Sequence, residues 1–130
     1  MKTVLLTGSS GFLGKIIKDY LKLKQHNIIS LGRSNICDVV CDLRKQNPFV
    51  PKGIDIVVHA AGKAHSVPKS KKERLEFYDV NVMGTKNLLL GLGINNLPKQ
   101  FIFLAFFKCW FYKHTVMLAL DFFECVTHSG

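Results

Sequence analysis

The sequence predicts an α/β domain, a parallel sheet covered by helices on both faces. Short apolar runs alternate with segments of helical period, short loops join them, and a turn with a glycine at every third position separates the first run from the first helical segment. Strands that alternate with helices in this way imply right-handed crossovers between parallel neighbours.

Residues 2–7 (KTVLLT) form an apolar run that ends at Gly8, as expected of a strand buried on both faces. Phe12, Leu13, Ile16, Ile17, Tyr20 and Leu21 then recur at helical spacing with lysines between them, so one side of this helix is expected to pack on the sheet. Residues 27–31 (NIISL) form a second strand, 39–41 a short third and 54–61 (IDIVVHAA) a strong fourth, with Pro48, Pro51 and Gly53 punctuating the loop before it. From residue 71 to 92 the pattern is helical, and Gly91, Gly93, Asn95, Asn96 and Pro98 are expected to stop it. Residues 101–104 complete a fifth strand.

At 130 residues the length suits one domain with one core, and the composition, 48% hydrophobic and 21% charged, excludes wholesale disorder. Eighteen Lys and Arg against nine Asp and Glu give a net charge of +9, which would suit an anionic partner. The cations are dispersed, however, and only Lys69, Lys71 and Lys72 cluster, so a solvated face accounts for most of them. Nothing resembles a nucleic-acid motif or a run of the roughly 20 apolar residues that a spanning helix needs. Cys37, Cys41, Cys109 and Cys125 lack zinc-ribbon spacing, and strand-like sequence begins at Lys2 without a signal peptide, so the expected setting is the reducing cytoplasm. His59 and His65 have no nearby cysteine or carboxylate pair to complete a metal ligand set.

The turn TGSSGFLG carries Gly8, Gly11 and Gly14. Glycines here allow a sharp turn, the approach of a pyrophosphate to the backbone, and close packing of helix on strand, while the helix N-terminus offers N–H groups to the phosphates. The expected ligand is therefore a dinucleotide. After the second strand, where an acid usually binds the adenosine ribose, stand Gly32, Arg33 and Ser34. Arg33 fits a 2′-phosphate, as in NADP, or an arginine stacked on adenine with NAD bound.

TGSSGFLG, Asp42-Leu43, His59-Ala60-Ala61-Gly62 and Asn81-Val82-x-Gly84-Thr85-x-Asn87-Leu88-Leu89 together resemble the extended short-chain dehydrogenase/reductases, and among them the NAD-dependent epimerase/dehydratases acting on nucleotide sugars. The resemblance runs from residue 3 to about 104. It implies a Rossmann-type doubly wound sheet of about five strands in the order 3-2-1-4-5. Gly8, Gly11, Phe12, Leu13 and Gly14 would contact the pyrophosphate, Asp42 and Leu43 the adenine, and Ala60, Ala61 and Gly62 would line the groove beside the nicotinamide ribose. Asn81 would help hold the active-site lysine, and Lys63 and His65, just past the fourth strand, would face cofactor or substrate. Asp42 capping the next segment and small residues serving close packing are the plainer alternatives.

The family pattern then breaks. Where a strand-end Ser or Thr is expected the chain reads Ala105, Phe106, Phe107. The one literal Tyr-x-x-x-Lys, Tyr20 to Lys24, lies in the first helix, where Tyr20 is expected to be core and Lys24 solvated. No catalytic residue is assigned. Most of the aromatic residues fall in the last 30 positions. Two readings of residues 105–130 stay open. A frameshift after Leu104 is one, since Ala-Phe-Phe-Lys-Cys read one base later with common codons becomes Leu-Ser-Ser-Ser; a genuine tail, helical and packed over the sheet edge or on a second copy, is the other. The expectation is the N-terminal, cofactor-binding part of a nucleotide-sugar enzyme over residues 1–104, bound to NAD or NADP and prone to self-association, or else an inactive dinucleotide-binding fragment.

Overall fold

The computed structural model describes residues 1–62, 69–93 and 96–104, with the backbone of 105–107 and 116–118. The elements are β1 (Thr3–Thr7), α1 (Phe12–Leu23), β2 (Asn27–Gly32), β3 (Val39–Val40), β4 (Ile56–His59), α2 (Lys71–Tyr78), a π turn (Asp79–Met83), α3 (Gly84–Leu92), β5 (Gln100–Phe103), β6 (Ala105–Phe107) and β7 (Val116–Leu118). Strands β1 to β5 form one sheet in the order β3-β2-β1-β4-β5, with every pair parallel, as expected. Thr7 lies opposite both Leu31 and His59, and His59 lies opposite Phe103, so the carboxyl ends of four strands reach one edge together.

Alternation along the strands builds a core on each face. Leu5, Leu31, Val57, Leu88 and Leu92 meet on the α3 side, while Val4, Leu6 and Val58 meet Ile17 and Leu21 of α1 on the other. Val4 and Leu6 point to the face opposite Leu5, and Val57 and Val58 to opposite faces, which is the pattern that calls for helices on both sides.

Helix α1 is less embedded than its periodicity suggests. Ile17 and Leu21 pack on the sheet, but Phe12, Ile16 and Tyr20 are each more than half exposed. The apolar arc is wider than the stripe that one sheet face covers. Tyr20 is thus at the surface rather than in the core, with the Lys24 ammonium 5.7 Å from its ring centroid, a cation–π distance.

The helical stretch from 71 to 92 is continuous in the order α2, π turn, α3. Ser70 caps it, its hydroxyl accepting from the Glu73 N–H at 3.1 Å. Gly91 does not stop α3 but lies within it, packed so closely that an added Cβ would come within 2.6 Å of Pro48. Gly93, at φ +62°, makes the turn that ends it, its N–H bonded to the Leu89 carbonyl. Asn87, buried in α3, donates from Nδ2 to the Leu43 carbonyl at 2.6 Å. Asn87→Leu leaves that carbonyl unsatisfied and should lower stability by about 1–3 kcal/mol in a denaturant titration.

β6 and β7 form a separate antiparallel pair. Where its backbone is described the tail is strand and not the expected helix, in keeping with the preference of Phe and Val for pleated surfaces. The remainder of the tail lies outside the described residues.

Candidate functional site

The turn after β1 is set by contacts that tolerate no side chain. Gly8 has φ +73°, and a Cβ there would stand 2.7 Å from the backbone of Ala60 and Ala61. At Gly14, the one buried residue of α1, a Cβ would stand 1.8 Å from the Gly8 carbonyl oxygen. Gly11 differs: a Cβ would meet only Gly8 O, at an ordinary 3.4 Å. Gly11 is also the N-cap of α1, without a side-chain cap and with no acid in the first turn. The first N–H groups of the helix, those of Phe12, Leu13 and Gly14, therefore have no intrahelical acceptor. Phe12 itself is exposed, and Leu13 is half-buried.

A chain of hydrogen bonds crosses from this turn to the π turn. The Ala61 N–H donates to Thr7 Oγ1 at 3.1 Å, Thr7 Oγ1 lies 2.6 Å from His59 Nδ1, His59 Nε2 lies 2.9 Å from Thr85 Oγ1, and Thr85 donates to the Asn81 carbonyl at 2.8 Å. The ends fix the proton order. A carbonyl only accepts, so the Thr85 proton goes to Asn81, and Thr85 Oγ1 accepts from His59 Nε2–H. His59 Nδ1 is then bare and accepts from the Thr7 hydroxyl, whose oxygen takes the Ala61 N–H. His59 is neutral in this arrangement, and burial pushes its pKa down from 6.5 to about 4. Among the described residues no group of three or more His, Cys, Asp or Glu could hold a metal.

The chain binds the ends of β1 and β4 to Asn81, whose residue sits in the π turn, a helix distortion often found at functional sites. The Asn81 side chain in turn lies against Gly62, where a Cβ would meet Oδ1 at 3.3 Å. Thr7 and Thr85 belong to the sequence patterns TGSSGFLG and Asn81-Val82-x-Gly84-Thr85, which assign them no role. Their partners are 52 and 26 residues away in sequence.

At the other end of the same edge, Gly32 pairs with Val40, and Arg33 follows it, exposed. Asp42 holds Arg44 with both oxygens, Nε at 3.0 Å and Nη2 at 2.8 Å, and also accepts the Arg44 N–H. The Arg44 guanidinium, assisted by that N–H, holds the Asp42 carboxyl down at about 2. Asp42 thus caps the turn that follows it, the plainer alternative to an adenine contact. The Leu43 side chain is buried in the α3-side core. Beyond Asn81, a groove of about 520 Å³ runs between α3 and Phe103, lined by Val82, Thr85, Lys86, Leu89 and Leu90. Gly8, Gly11, Gly14, Ala60, Ala61, Gly62 and Asn81 are brought to one region of the carboxyl edge, with Arg33, Asp42 and Leu43 toward the β2–β3 side. Lys63 and His65 lie outside the described residues.

Residues 4–105 match the family model described as NAD dependent epimerase/dehydratase family. The chain is 32% identical over 127 residues to a dTDP-D-glucose 4,6-dehydratase of Dictyostelium discoideum, covering 81% of this chain and 29% of that protein. It is 33% identical over 117 residues to a UDP-glucose 4-epimerase of Vibrio cholerae, covering 82% of this chain and 35% of that one. It thus spans about a third of the length of these relatives. The fold is shared with the crystal structure of UDP-glucose 4-epimerase from Bifidobacterium longum in complex with NAD+ and UDP, at a TM-score of 0.64 and 23% identity over 89% of this chain and 42% of that one.

Proposed function

We infer the function from one premise: this chain belongs to the NAD dependent epimerase/dehydratase family. We propose that residues 1–104 bind NAD or NADP, as the cofactor-binding part of an enzyme acting on nucleotide sugars, and that residues 105–130 are distinct from that unit. The observation that carries this reading is the difference among the three glycines. Gly8 and Gly14 are filled by protein, whereas at Gly11 a Cβ would meet only the Gly8 oxygen, at an ordinary contact distance, at an uncapped helix start without an acid. A pyrophosphate fits that chemistry, taking the N–H groups of Phe12, Leu13 and Gly14. Ala60, Ala61, Gly62 and Lys63 would border the nicotinamide half, with Asn81 behind them, and Arg33, Asp42 and Leu43 the adenosine half.

The bound cofactor supplies a hydride acceptor and donor. This chain's residues hold it: the glycine turn receives the phosphates, and the Thr7–His59–Thr85 chain fixes the β4 end against the π turn. In an intact relative the reaction would take a hydride from a sugar-nucleotide carbon and return it, or proceed to dehydration. Residues 104–107, Leu-Ala-Phe-Phe, place no hydroxyl at the end of β5, which favours binding without turnover here. Calorimetry with NAD+ and NADP+, and assays with UDP-sugars, test both halves. Binding without turnover is the expected result; turnover overturns the second half, and no binding overturns the first. A gene whose family pattern resumes in another frame after the Leu104 codon would assign residues 105–130 to a frameshift, and a clean frame without it would refute that reading.

We further propose cytoplasmic placement, supported by free Cys37 and Cys41, and self-association. β5 is the last strand of its sheet, and Val82, Leu89 and Leu90 are about half exposed beside it. Light scattering should report a dimer or larger species, and a monomer over a wide concentration range would refute this.

A further inference from the structure

Thr85 sits half-buried on α3, far along the chain from β4, yet both uses of its hydroxyl lead to one short piece of backbone after that strand. As an acceptor it takes the His59 Nε2–H at 2.9 Å, and the line of bonds continues through His59 Nδ1 and Thr7 Oγ1 to the Ala61 N–H. As a donor it holds the Asn81 carbonyl at 2.8 Å, and the Asn81 side chain lies against Gly62, where a Cβ would meet Oδ1 at 3.3 Å. The two arms end on adjacent residues, Ala61 and Gly62. The imidazole in the middle is buried, with the Phe103 and Phe101 ring centroids 5.5 Å and 6.3 Å from its own, so it responds to a change at Thr85 by moving a proton more readily than by moving the ring.

We propose that Thr85 is a positioning residue for the nicotinamide half of the dinucleotide groove: its hydroxyl selects the His59 tautomer and so sets where the backbone of Ala60, Ala61 and Gly62 stands. The proposal rests on the dinucleotide reading above and deepens it. A ring N–H is fixed in the imidazole plane, whereas a hydroxyl proton rotates to whichever acceptor is in reach. With the Thr85 oxygen in place Nε2 carries the proton, the Thr7 hydroxyl points at the bare Nδ1, and the Thr7 oxygen is left to the Ala61 N–H. Without that oxygen an Nε2–H would be buried and unsatisfied, which is costly in an interior. The ring proton then transfers to Nδ1. Thr7 Oγ1 must accept from the ring and from Ala61 together, and the Asn81 carbonyl loses its Thr85 donor, so both supports of the segment weaken at once. A ligand that reaches past the end of β4 meets the altered backbone; one that stops at the pyrophosphate does not.

The test compares NAD+ with ADP, which keeps the adenosine and both phosphates but lacks the nicotinamide half, by calorimetry on the full chain, with nitrogen chemical shifts of His59 read in parallel. The unaltered chain should bind NAD+ more tightly than ADP. Thr85→Val keeps the shape of the side chain and removes the hydroxyl. It should shift His59 toward the Nδ1–H tautomer and weaken NAD+ about three- to tenfold, as for one lost hydrogen bond, while ADP stays within about twofold. Thr85→Ser, which restores the hydroxyl, should return both the tautomer and the NAD+ affinity. Circular dichroism checks the fold, and Thr85→Ala, with the same expected shifts, replaces the valine variant if that one does not fold. An unchanged tautomer without the hydroxyl, an equal loss of NAD+ and ADP affinity, a loss that Thr85→Ser does not recover, or equal binding of NAD+ and ADP by the unaltered chain overturns the proposal and leaves the dinucleotide reading standing. Failure of the unaltered chain to bind either nucleotide overturns that reading and the proposal with it, a result seen before any variant is made.

Discussion

Gly14→Ala should leave little folded protein, whereas Gly11→Val should fold and lose the dinucleotide. The new methyl at position 14 would stand 1.8 Å from the Gly8 oxygen, 2.6 Å from the Gly8 carbon and 2.9 Å from the Ser9 Cα. All three are backbone atoms, and Gly8 has nowhere to go because its own Cα side abuts Ala60 and Ala61. Relief would require separating α1 from β1, at a cost in the exceptional class above about 4 kcal/mol, comparable with the roughly 5–15 kcal/mol that holds a whole domain together. Gly11 has φ −74° and ψ 170°, ordinary extended backbone, so valine fits the fold there while its methyls fill the space before the helix N-terminus. Circular dichroism and thermal melting of both variants, with calorimetry on Gly11→Val, separate the cases. A wild-type melt for Gly14→Ala would refute the tight helix–strand packing. Unchanged nucleotide affinity in folded Gly11→Val would mean that the loop is not the phosphate site.

That contrast also marks what the sequence could disclose. Gly8, Gly11 and Gly14 have the same spacing from one another, which suffices to predict strand, turn and helix, but only the packing around each distinguishes filled from open. The five strands were legible because each is an apolar run between turn residues, and their order followed from the resemblance. The edges shifted by a residue or two: residues 54–61 read as one strand, while β4 pairs only over Ile56–His59. Tyr20, at the surface, and Gly91, inside α3, depart from the pattern for related reasons. Period identifies an apolar face but not how much of it the sheet covers, and composition shows a helix breaker but not the Pro48 ring against which it packs. The π turn has no signal in the sequence, and neither does a hydrogen-bond chain joining residues on three elements.

That chain carries the last large expected effect, an acid-dependent loss of stability. Burial depresses the His59 pKa from 6.5 to about 4 in the folded protein, so the unfolded chain takes up the proton first as pH falls. The contribution is fully present above pH 6.5 and is lost between 6.5 and 4, amounting to about 3 kcal/mol. Asp38, Asp42 and Asp55 also have depressed pKa values, for which Ser30, Arg44 and the Thr3 N–H are the main causes, but from an ordinary value of 3.8 their contributions disappear only in more acid solution. Among the described residues with a depressed or raised pKa, His59 is the one whose contribution is lost between neutrality and pH 4. Protonation would place a hydrogen on Nδ1, against a Thr7 hydroxyl that must then turn its own proton away. His59→Gln retains an acceptor and a donor and should flatten the pH dependence in that interval. His59→Phe should flatten it too, while lowering stability at neutral pH by about 1–3 kcal/mol through the stranded Thr7 hydroxyl. Nitrogen chemical shifts should show the Nε2–H tautomer at neutral pH. A protonated His59 at pH 6 in folded protein, or a pH slope that persists in both variants, would refute the assignment. If it holds, acid should loosen Asn81 and the β4 end along with the fold, because Thr85 joins His59 to the Asn81 carbonyl directly.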